Sequence, residues 1–205
     1  MLSMPMLSDL LRPRRPPPDA EAAWLRRIAA HDRAALAALY RAYQPRLARF
    51  LGRLTRQENL IEEVINDTFW IVWQKAGQYR GDARASTWIM GIAYRQALKA
   101  LRDRGESPLH DSVEEHEPQL VHDTDGDRET RDWIDKALRR LPDELRLTVE
   151  LVYGQGHTLD ETAAIMDCPV GTAKSRLFHA RVRLRNLLPA LAGPTAAAAQ
   201  GGQDD

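Results

Sequence analysis

Apolar residues recur at helical spacing over most of this chain, first across residues 19–104 and again across residues 128–188. Breaks in the pattern fall at residues 52–59 and 77–86, where glycine and polar residues interrupt it. No stretch shows the two-residue alternation that is typical of a half-buried strand. The pattern therefore predicts an all-α protein with two small helical domains.

The segments outside these helical regions have compositions that cannot form a packed core. We predict a disordered Pro/Arg-rich extension at residues 1–18, a first domain at 19–104, an acidic flexible linker at 105–127, a second domain at 128–190 and a disordered tail at 191–205. The linker carries most of the acidic excess and almost no aliphatic period. We therefore expect the two domains to be joined flexibly.

The second domain contains the signals of a helix-turn-helix. Thr158 and Glu161 form a capping box of the type S/T-x-x-E, which predicts the start of a short helix. Asp167 tolerates the left-handed conformation that ends such a helix, and Pro169 suits the start of the next one. A short helix, a tight turn and a longer basic helix ending near Leu188 follow in that order.

The last helix of this motif has one apolar face and one face suited to nucleic acid. At 100° per residue, an apolar arc is predicted to face the domain core; it contains Ala173, Leu177, Ala180 and Leu184. The candidate DNA-binding residues are Thr172, Lys174, Ser175, Arg176, His179 and Arg183. Guanidinium and hydroxyl groups at the start of such a helix can pair with base edges and phosphates in a major groove. The alternative is a solvated basic face on a purely structural helix.

In the first domain, the helix predicted over residues 60–76 has an outer face that is acidic and aromatic. Its apolar arc is Ile61, Ile65, Phe69 and Val72, and the opposite arc contains Glu62, Glu63, Asn66, Asp67, Trp70 and Trp73. Carboxylates repel phosphate, so this face is predicted to bind protein through its tryptophans. The alternative is that one of the two indoles tucks sideways into the domain.

The next helix, predicted over residues 86–104, has a basic stripe with an aromatic residue at its entrance. Trp88, Arg95, Lys99 and Arg102 fall close together on this helix, and Arg80 and Arg84 lie in the segment before it. Bases stack on aromatic rings while cations follow the phosphate backbone. This face is therefore predicted to bind single-stranded DNA.

Charge and composition refine this prediction. The net charge of zero conceals two basic blocks, +6 over residues 19–102 and +2 over 133–190, around an acidic block of −8 over 103–132. The lone cysteine, Cys168, excludes a disulfide framework, and the histidines give no metal-ligand spacing that we would assign. Catalytic and phosphate-loop motifs are missing, so we expect no enzyme activity, cofactor or metal. With a mean hydropathy of −0.48 and no long apolar run, we expect a cytoplasmic protein without membrane insertion.

Taken together, the motifs resemble the sigma factors of bacterial RNA polymerase, specifically the compact extracytoplasmic-function kind that has only regions 2 and 4. The matching stretches read LIEEVINDTFWIVWQKAGQYRG, STWIMGIAYRQALKALR, LPDELRLTVELVY and TLDETAAIMDCPVGTAKSRLFHARVRLRNLL. The resemblance implies a subunit that binds core RNA polymerase and promoter DNA, melts the DNA and directs transcription initiation. It also implies an anti-sigma factor as a partner.

The resemblance assigns roles to the faces. The helix with Glu63, Asp67 and Trp73 would dock on the polymerase clamp, and the second domain would sit on the flap while residues 172–183 read the minus-thirty-five element. Residues 86–102, including Ser86 and Thr87, would open and read the minus-ten element. We expect Asn59 to serve as the start of the clamp helix.

Two other classes of protein remain as alternatives. A stand-alone helix-turn-helix regulator would bind duplex DNA as a dimer, but it would need only the second domain and a dimer interface. An enzyme carrying a helix-turn-helix would need a catalytic constellation. The acidic face with Trp70 and Trp73, and the separate basic helix, favour the sigma factor over both.

Overall fold

The computed structural model describes residues 18–106 and 134–191, with side chains placed for 20–106 and 134–187. Over these residues the chain is helical and contains no strand, which confirms the predicted all-α class with two helical domains. Except for Gly105 and Glu106, the predicted acidic linker lies outside the described residues, as do most of the N-terminal extension and nearly all of the C-terminal tail. Of the extension and the tail, Pro18 and Leu191 are described, and each belongs to a helix.

The first domain consists of long helices packed around one core. They are α1 (Pro18–Ala29), α2 (Arg33–Leu51), α3 (Glu58–Lys75), a 3-10 turn (Ala76–Gln78) and α4 (Ala85–Asp103). The two breaks in the hydrophobic pattern correspond to the connections on either side of α3. Asp32 caps α2, because its carboxylate accepts hydrogen bonds from the backbone N–H groups of Ala34 and Ala35. The bond from Ala35, together with a hydrogen bond from the Arg27 guanidinium, holds the pKa of the Asp32 carboxyl below its usual value.

The start of α3 differs from the prediction. The helix begins at Glu58 with Gln57 in the N-cap position, so the assignment of Asn59 as the start was wrong. Gln57 makes no side-chain cap, and its backbone N–H instead donates to the Thr55 hydroxyl at 3.2 Å. The preceding turn therefore fixes where the helix begins, which the capping preference of Asn59 alone could not reveal.

The second domain follows the predicted helix-turn-helix. Its helices are α5 (residues 134–139), α6 (Asp143–Val149, continued by a π-helical turn at Glu150–Gly154), α7 (Leu159–Ile165) and α8 (Val170–Leu191). Thr158 and Glu161 form both bonds of the capping box, and Asp167 has the expected positive φ of 51°. Helix α8 runs past the predicted end at Leu188.

The two domains are packed against each other. Helix α7 of the second domain lies against α4 of the first. Side chains of the second domain also join the core of the first; they are Leu147, Leu151, Ile165 and Met166, each at most 4% exposed. The rest of the second domain has a separate core between α5, α6 and α8. In this structure the chain is therefore a closed body rather than two separated domains.

Candidate polymerase and DNA interfaces

The outer face of α3 is exposed as the sequence predicts, but its two tryptophans differ. Glu62, Glu63, Asn66 and Asp67 are all exposed, and 61% of Trp70 is accessible to solvent. Trp73 instead is half-buried, and its ring packs edge-on against His31 with centroids 5.4 Å apart. This arrangement matches the alternative in which one indole tucks sideways, and it leaves Trp70 as the exposed aromatic of this face.

One carboxylate of this face is engaged within the domain. Arg104, just beyond α4, lies 2.6 Å from Glu63 and also donates a hydrogen bond to the side-chain oxygen of Gln57. Both partners of the ion pair are partly exposed, so the pair adds little stability. The other acidic groups, Glu62 and Asp67, remain in solvent. The face therefore keeps its negative charge around Trp70.

The basic stripe on α4 is exposed over its C-terminal half. Arg95, Lys99 and Arg102 all reach solvent. The guanidinium of Arg95 folds back over Gly91, where a Cβ atom would come within 3.4 Å of it. An alanine at this position would make an ordinary van der Waals contact with the arginine. The stripe presents cations one turn apart, a spacing that suits a phosphate backbone.

The segment before α4 is held by aromatic packing. The Tyr79 and Trp88 rings lie 5.6 Å apart, and the Tyr79 hydroxyl donates to the backbone oxygen of Ala83 at 2.6 Å. Gly81 has a φ of 83°, a backbone conformation that glycine adopts with little strain. Arg80, just before it, is exposed. Trp88 also lines an open cleft of about 280 Å³ together with Lys75 and Arg95. An aromatic ring, cations and a cleft thus occur together at this end of α4.

Three other candidate minus-ten residues are buried or paired in the structure. Ser86 is fully buried and Thr87 is 5% exposed, so neither hydroxyl can contact DNA in this conformation. The side chain of Arg84 is 48% exposed, and its Nε lies 3.2 Å from a carboxylate oxygen of Glu161 on α7. Helical spacing predicted the positions of Ser86 and Thr87 on α4. It could not reveal that Arg84, just before the helix, pairs with a residue so distant in sequence.

Helix α8 presents its two faces as predicted. The arc of Ala173, Leu177, Ala180 and Leu184 is buried. Lys174, Ser175, His179 and Arg183 are exposed, and Thr172 is half-buried. Arg176 is partly covered and lies 2.7 Å from Glu144 at the start of α6, so its guanidinium is already paired within the domain.

One exposed residue of α8 was missed in the sequence. Phe178 is 62% exposed, and its ring contacts the edge of the neighbouring His179 at a centroid distance of 5.6 Å. It lies one turn after Lys174 and Ser175, beside the polar residues that were selected. A large apolar residue outside the apolar arc was the signal, because such a residue on an exposed face marks an interaction surface.

The described residues show no group of side chains that could hold a metal ion, although His110, His116 and His122 lie outside them. Within the same residues, no helix is both long and apolar enough to cross a membrane. The surfaces above are therefore the candidate sites that the described part of the chain offers.

Comparison with known proteins agrees with this geometry. The family model for sigma-70 region 2 matches residues 39–106, and that for sigma-70 region 4 matches residues 131–184. The chain is 29% identical to the ECF RNA polymerase sigma-E factor of Haemophilus influenzae over 82% of its length and 95% of that protein. It is 28% identical to the sigma-E factor of Escherichia coli K12 over 78% of its length and 90% of that protein.

Solved structures show the same fold. The sigma factor RpoE from Bartonella quintana, solved with the anti-sigma factor NepR, matches with a TM-score of 0.56 and 28% identity over 71% of this chain and 91% of that one. CnrH, solved with the cytosolic domain of CnrY, matches at 0.60 and 20% identity over 83% of this chain and 98% of that one. Two helical domains, a helix-turn-helix and matches to regions 2 and 4 agree on one conclusion: the chain belongs to the sigma-70 family and is an extracytoplasmic-function sigma factor, which directs transcription initiation.

Proposed function

We propose that three faces of this sigma factor each bind a different partner during transcription initiation. The acidic face around Trp70 on α3 binds the clamp of core RNA polymerase. The basic stripe of α4, with Trp88 and the segment before it, binds and opens the minus-ten element. Helix α8 reads the minus-thirty-five element while the second domain sits on the flap. The observation that carries this proposal is the separation of one acidic aromatic face from two basic faces on different helices.

The face on α3 suits a protein partner better than DNA. Exposed carboxylates at Glu62 and Asp67 repel phosphate, whereas they attract a basic protein surface. Trp70 offers a large aromatic side chain that is not needed by the core, and tryptophan is enriched among residues that dominate binding energy. We therefore assign Glu62, Glu63, Asn66, Asp67, Trp70 and Trp73 to the clamp interface, with Trp73 supporting it from beneath.

The α4 region suits unpaired DNA. Trp88 and Tyr79 form an aromatic pair beside the cations of Lys75 and Arg95, so a base could stack where phosphates are also neutralised. Arg80, Arg84, Lys99 and Arg102 extend the positive charge along the strand.

Helix α8 suits duplex DNA. Lys174, Ser175, His179 and Arg183 are exposed, and Thr172 and Arg176 lie at its N-terminal end, which enters the major groove in helix-turn-helix proteins. Phe178 adds an apolar group that can contact a thymine methyl. Arg176 exchanges its partner Glu144 for a guanine or a phosphate when it binds.

We further propose that an anti-sigma factor controls this chain, since RpoE of Bartonella quintana was solved with one. We place the protein in the cytoplasm, where polymerase and chromosome are found, and assign it no enzymatic reaction. The domain bounds that we propose are 19–104 for region 2 and 128–190 for region 4, joined by the acidic linker at 105–127.

Site-specific photocrosslinking tests these assignments directly. A photoreactive residue is placed at Glu62, Lys99 or Lys174, and at the exposed Arg26 on α1 as the control position. In promoter complexes with core polymerase, position 62 should crosslink to polymerase, position 99 to the minus-ten non-template strand and position 174 to the minus-thirty-five duplex. Crosslinks from position 62 to DNA, or from position 99 only to duplex upstream, would overturn the assignment.

A further inference from the structure

Helix α8 carries cations on both flanks of its exposed face. Lys174, Arg181 and Arg185 are all exposed and fall within about 40° of one another around the helix, and we call these three residues the cationic row. Arg176 and Arg183 lie on the opposite flank, about 180° away. The helix contains no acidic residue, so neither flank is neutralised from within it.

The surface between the two flanks suits base edges rather than phosphates. Ser175, Phe178 and His179 are exposed there, opposite the buried arc of the helix. An α-helix with its side chains is about 10 to 12 Å across, and the major groove is about 12 Å wide. A helix in this groove therefore turns its centre towards the bases and each flank towards the phosphates of one strand.

Arg181 of the cationic row is held in place by Tyr153. Its Nε donates a hydrogen bond to the Tyr153 hydroxyl at 2.8 Å, and its Nη2 donates to the same oxygen. The guanidinium carbon lies 5.7 Å from the centroid of the tyrosine ring. Neither hydrogen bond uses the donors on Nη1, so the arginine can bind a phosphate without releasing the tyrosine.

The position of Tyr153 depends on the π-helical turn that follows α6. The backbone N–H of Gln155 donates to the Glu150 backbone oxygen at 2.8 Å, five residues back, as in a π-helix. Gly154 leaves room for the Glu150 carboxylate, since a Cβ atom at this glycine would lie 2.6 Å from it. Tyr153 itself is half-buried and packs against the core of the second domain. The hydroxyl is thus presented from an ordered part of the domain.

A hydroxyl partner leaves the charge of the arginine available. On the opposite flank, Arg176 lies 2.7 Å from Glu144, whose negative charge offsets its own. The hydroxyl of Tyr153 accepts hydrogen bonds from Arg181 without offsetting the positive charge. Arg181 therefore keeps its attraction for a phosphate. Less rotamer freedom remains to be lost when the phosphate binds.

The cationic row is long enough to follow one strand of DNA. Lys174 and Arg181 are about 10 Å apart along the helix axis, and Arg185 lies about 6 Å further on. Successive phosphates of one strand follow at about 3.4 Å along the axis of the duplex. The row can therefore reach more than one phosphate.

We propose that Lys174, Arg181 and Arg185 bind the phosphates of one strand of the minus-thirty-five duplex, and that Tyr153 is a positioning residue that holds Arg181 for this contact. The proposal rests on the role of α8 in duplex binding assigned above. The flank with Arg176 faces the other strand. Because phosphates carry no sequence information, the row sets affinity and the register of α8 in the groove but not the preferred sequence.

The salt dependence of binding tests the phosphate contact. Holoenzyme with Arg181→Ala is titrated with a duplex that contains the minus-thirty-five element and with a scrambled duplex, each at several salt concentrations. We expect about a tenfold loss of affinity on both duplexes, and a decrease of about 1 in the steepness of log affinity against log salt. Arg26→Ala on α1, which removes an exposed arginine from the other domain, is the control and should change neither.

Tyr153→Phe tests the positioning role. The change removes the hydroxyl but keeps the ring beside the guanidinium. We expect about threefold weaker binding to both duplexes, because the phosphate must now order the arginine, with most of the salt dependence kept. The same change should have no further effect when Arg181 is already alanine. Tyr40→Phe, which removes a hydroxyl from an exposed tyrosine on α2, is the matched control.

Ethylation interference identifies the strand. Ethylated phosphates on both strands of the element should block binding of the wild-type holoenzyme. In Arg181→Ala and in Arg185→Ala, interference should disappear at phosphates of the same strand and persist on the other. Loss of interference on different strands in these two variants would contradict a single row.

Two further results would overturn the proposal. One is an unchanged salt dependence in Arg181→Ala. The other is an effect of Tyr153→Phe that is equally large when Arg181 is alanine, which would make the tyrosine only a structural residue. The scrambled duplex keeps this test separate from the proposed function, since wild-type binding that does not prefer the matched duplex would count against sequence reading by α8 and not against the phosphate row.

Discussion

The two tryptophans on α3 are adjacent in the helical pattern but differ in their surroundings. Trp70 is 61% exposed, whereas Trp73 packs on His31 and the core. We predict that Trp70→Ala weakens binding to core polymerase by on the order of 2 kcal/mol with little change in stability. Trp73→Ala should mainly lower the free energy of unfolding, by about 1 to 3 kcal/mol for a partly buried indole. Fluorescence-detected polymerase titration and urea unfolding measure the two effects.

Tyr40→Ala is a control for Trp70→Ala, because it removes another exposed aromatic from the same domain. It should leave polymerase binding largely unchanged. A large loss of stability in Trp70→Ala with normal polymerase affinity would assign that side chain to the core and remove the aromatic anchor of the clamp interface.

Arg176 tests sequence reading by α8. Its guanidinium is held by Glu144 at 2.7 Å and must exchange this partner for DNA. We predict that Arg176→Ala weakens binding of the holoenzyme to duplex with the minus-thirty-five element by about 1 to 3 kcal/mol, and only for the preferred sequence. Gel shifts with matched and scrambled elements measure this. An equal loss on both duplexes would make Arg176 a phosphate contact.

Trp88 tests strand opening. We predict that Trp88→Ala leaves polymerase assembly and closed-complex binding intact but slows melting, since stacking contributes roughly 1 to 3 kcal/mol per base. Permanganate footprinting of the minus-ten region measures melting, and Trp24→Ala, on α1 and only half-buried, serves as the aromatic control. Normal melting in Trp88→Ala would reduce its role to packing against Tyr79.

At the scale of elements, the capping box of α7 is the clearest local determinant. Thr158 accepts from the Glu161 backbone N–H at 3.2 Å, and Glu161 accepts from the Thr158 N–H at 2.8 Å. We predict that Thr158→Ala lowers the free energy of unfolding by about 1 kcal/mol, whereas Thr158→Ser, which keeps the capping hydroxyl, leaves it largely unchanged. Urea unfolding monitored by circular dichroism measures both. Equal effects of the two variants would show that the cap does not hold this helix.

Sequence predicts those elements whose determinants are local. The apolar arc of α8, the capping box and the left-handed Asp167 each depend on residues within a few positions, and all were found. The start of α3 was misplaced because the Thr55 hydroxyl, which holds the preceding turn, competes with the capping preference of Asn59. Capping preferences therefore mispredict a helix boundary where the preceding turn determines it.

The sequence predicted on which helix face each candidate site lies, but not which of its residues are buried or paired. Spacing placed Ser86 and Thr87 at the start of α4, yet it could not show that both are buried. The pairing of Arg84 with Glu161 joins residues in different domains, and no periodicity encodes such a contact. Phe178 was missed because the search for a reading face selected polar side chains.

At the scale of the whole molecule, positive and negative charge lie in different parts of the chain. The two domains carry a basic excess, and the acidic block between them offsets it in the net charge. A net charge of zero thus conceals two basic domains that can bind a polyanion. Net charge is therefore more informative when it is counted for each domain than for the whole chain. Polar contacts at Arg46 and Arg53 join the same two domains in the structure.

Run-off transcription tests the central claim most directly. Purified core polymerase is incubated with a library of genomic promoter fragments, with and without this chain. The account predicts transcripts that require the chain, start at defined positions and come from fragments that share a minus-thirty-five and a minus-ten element. Transcription that is unaffected by the chain on every fragment, although the chain binds duplex DNA by itself as a dimer, would contradict it.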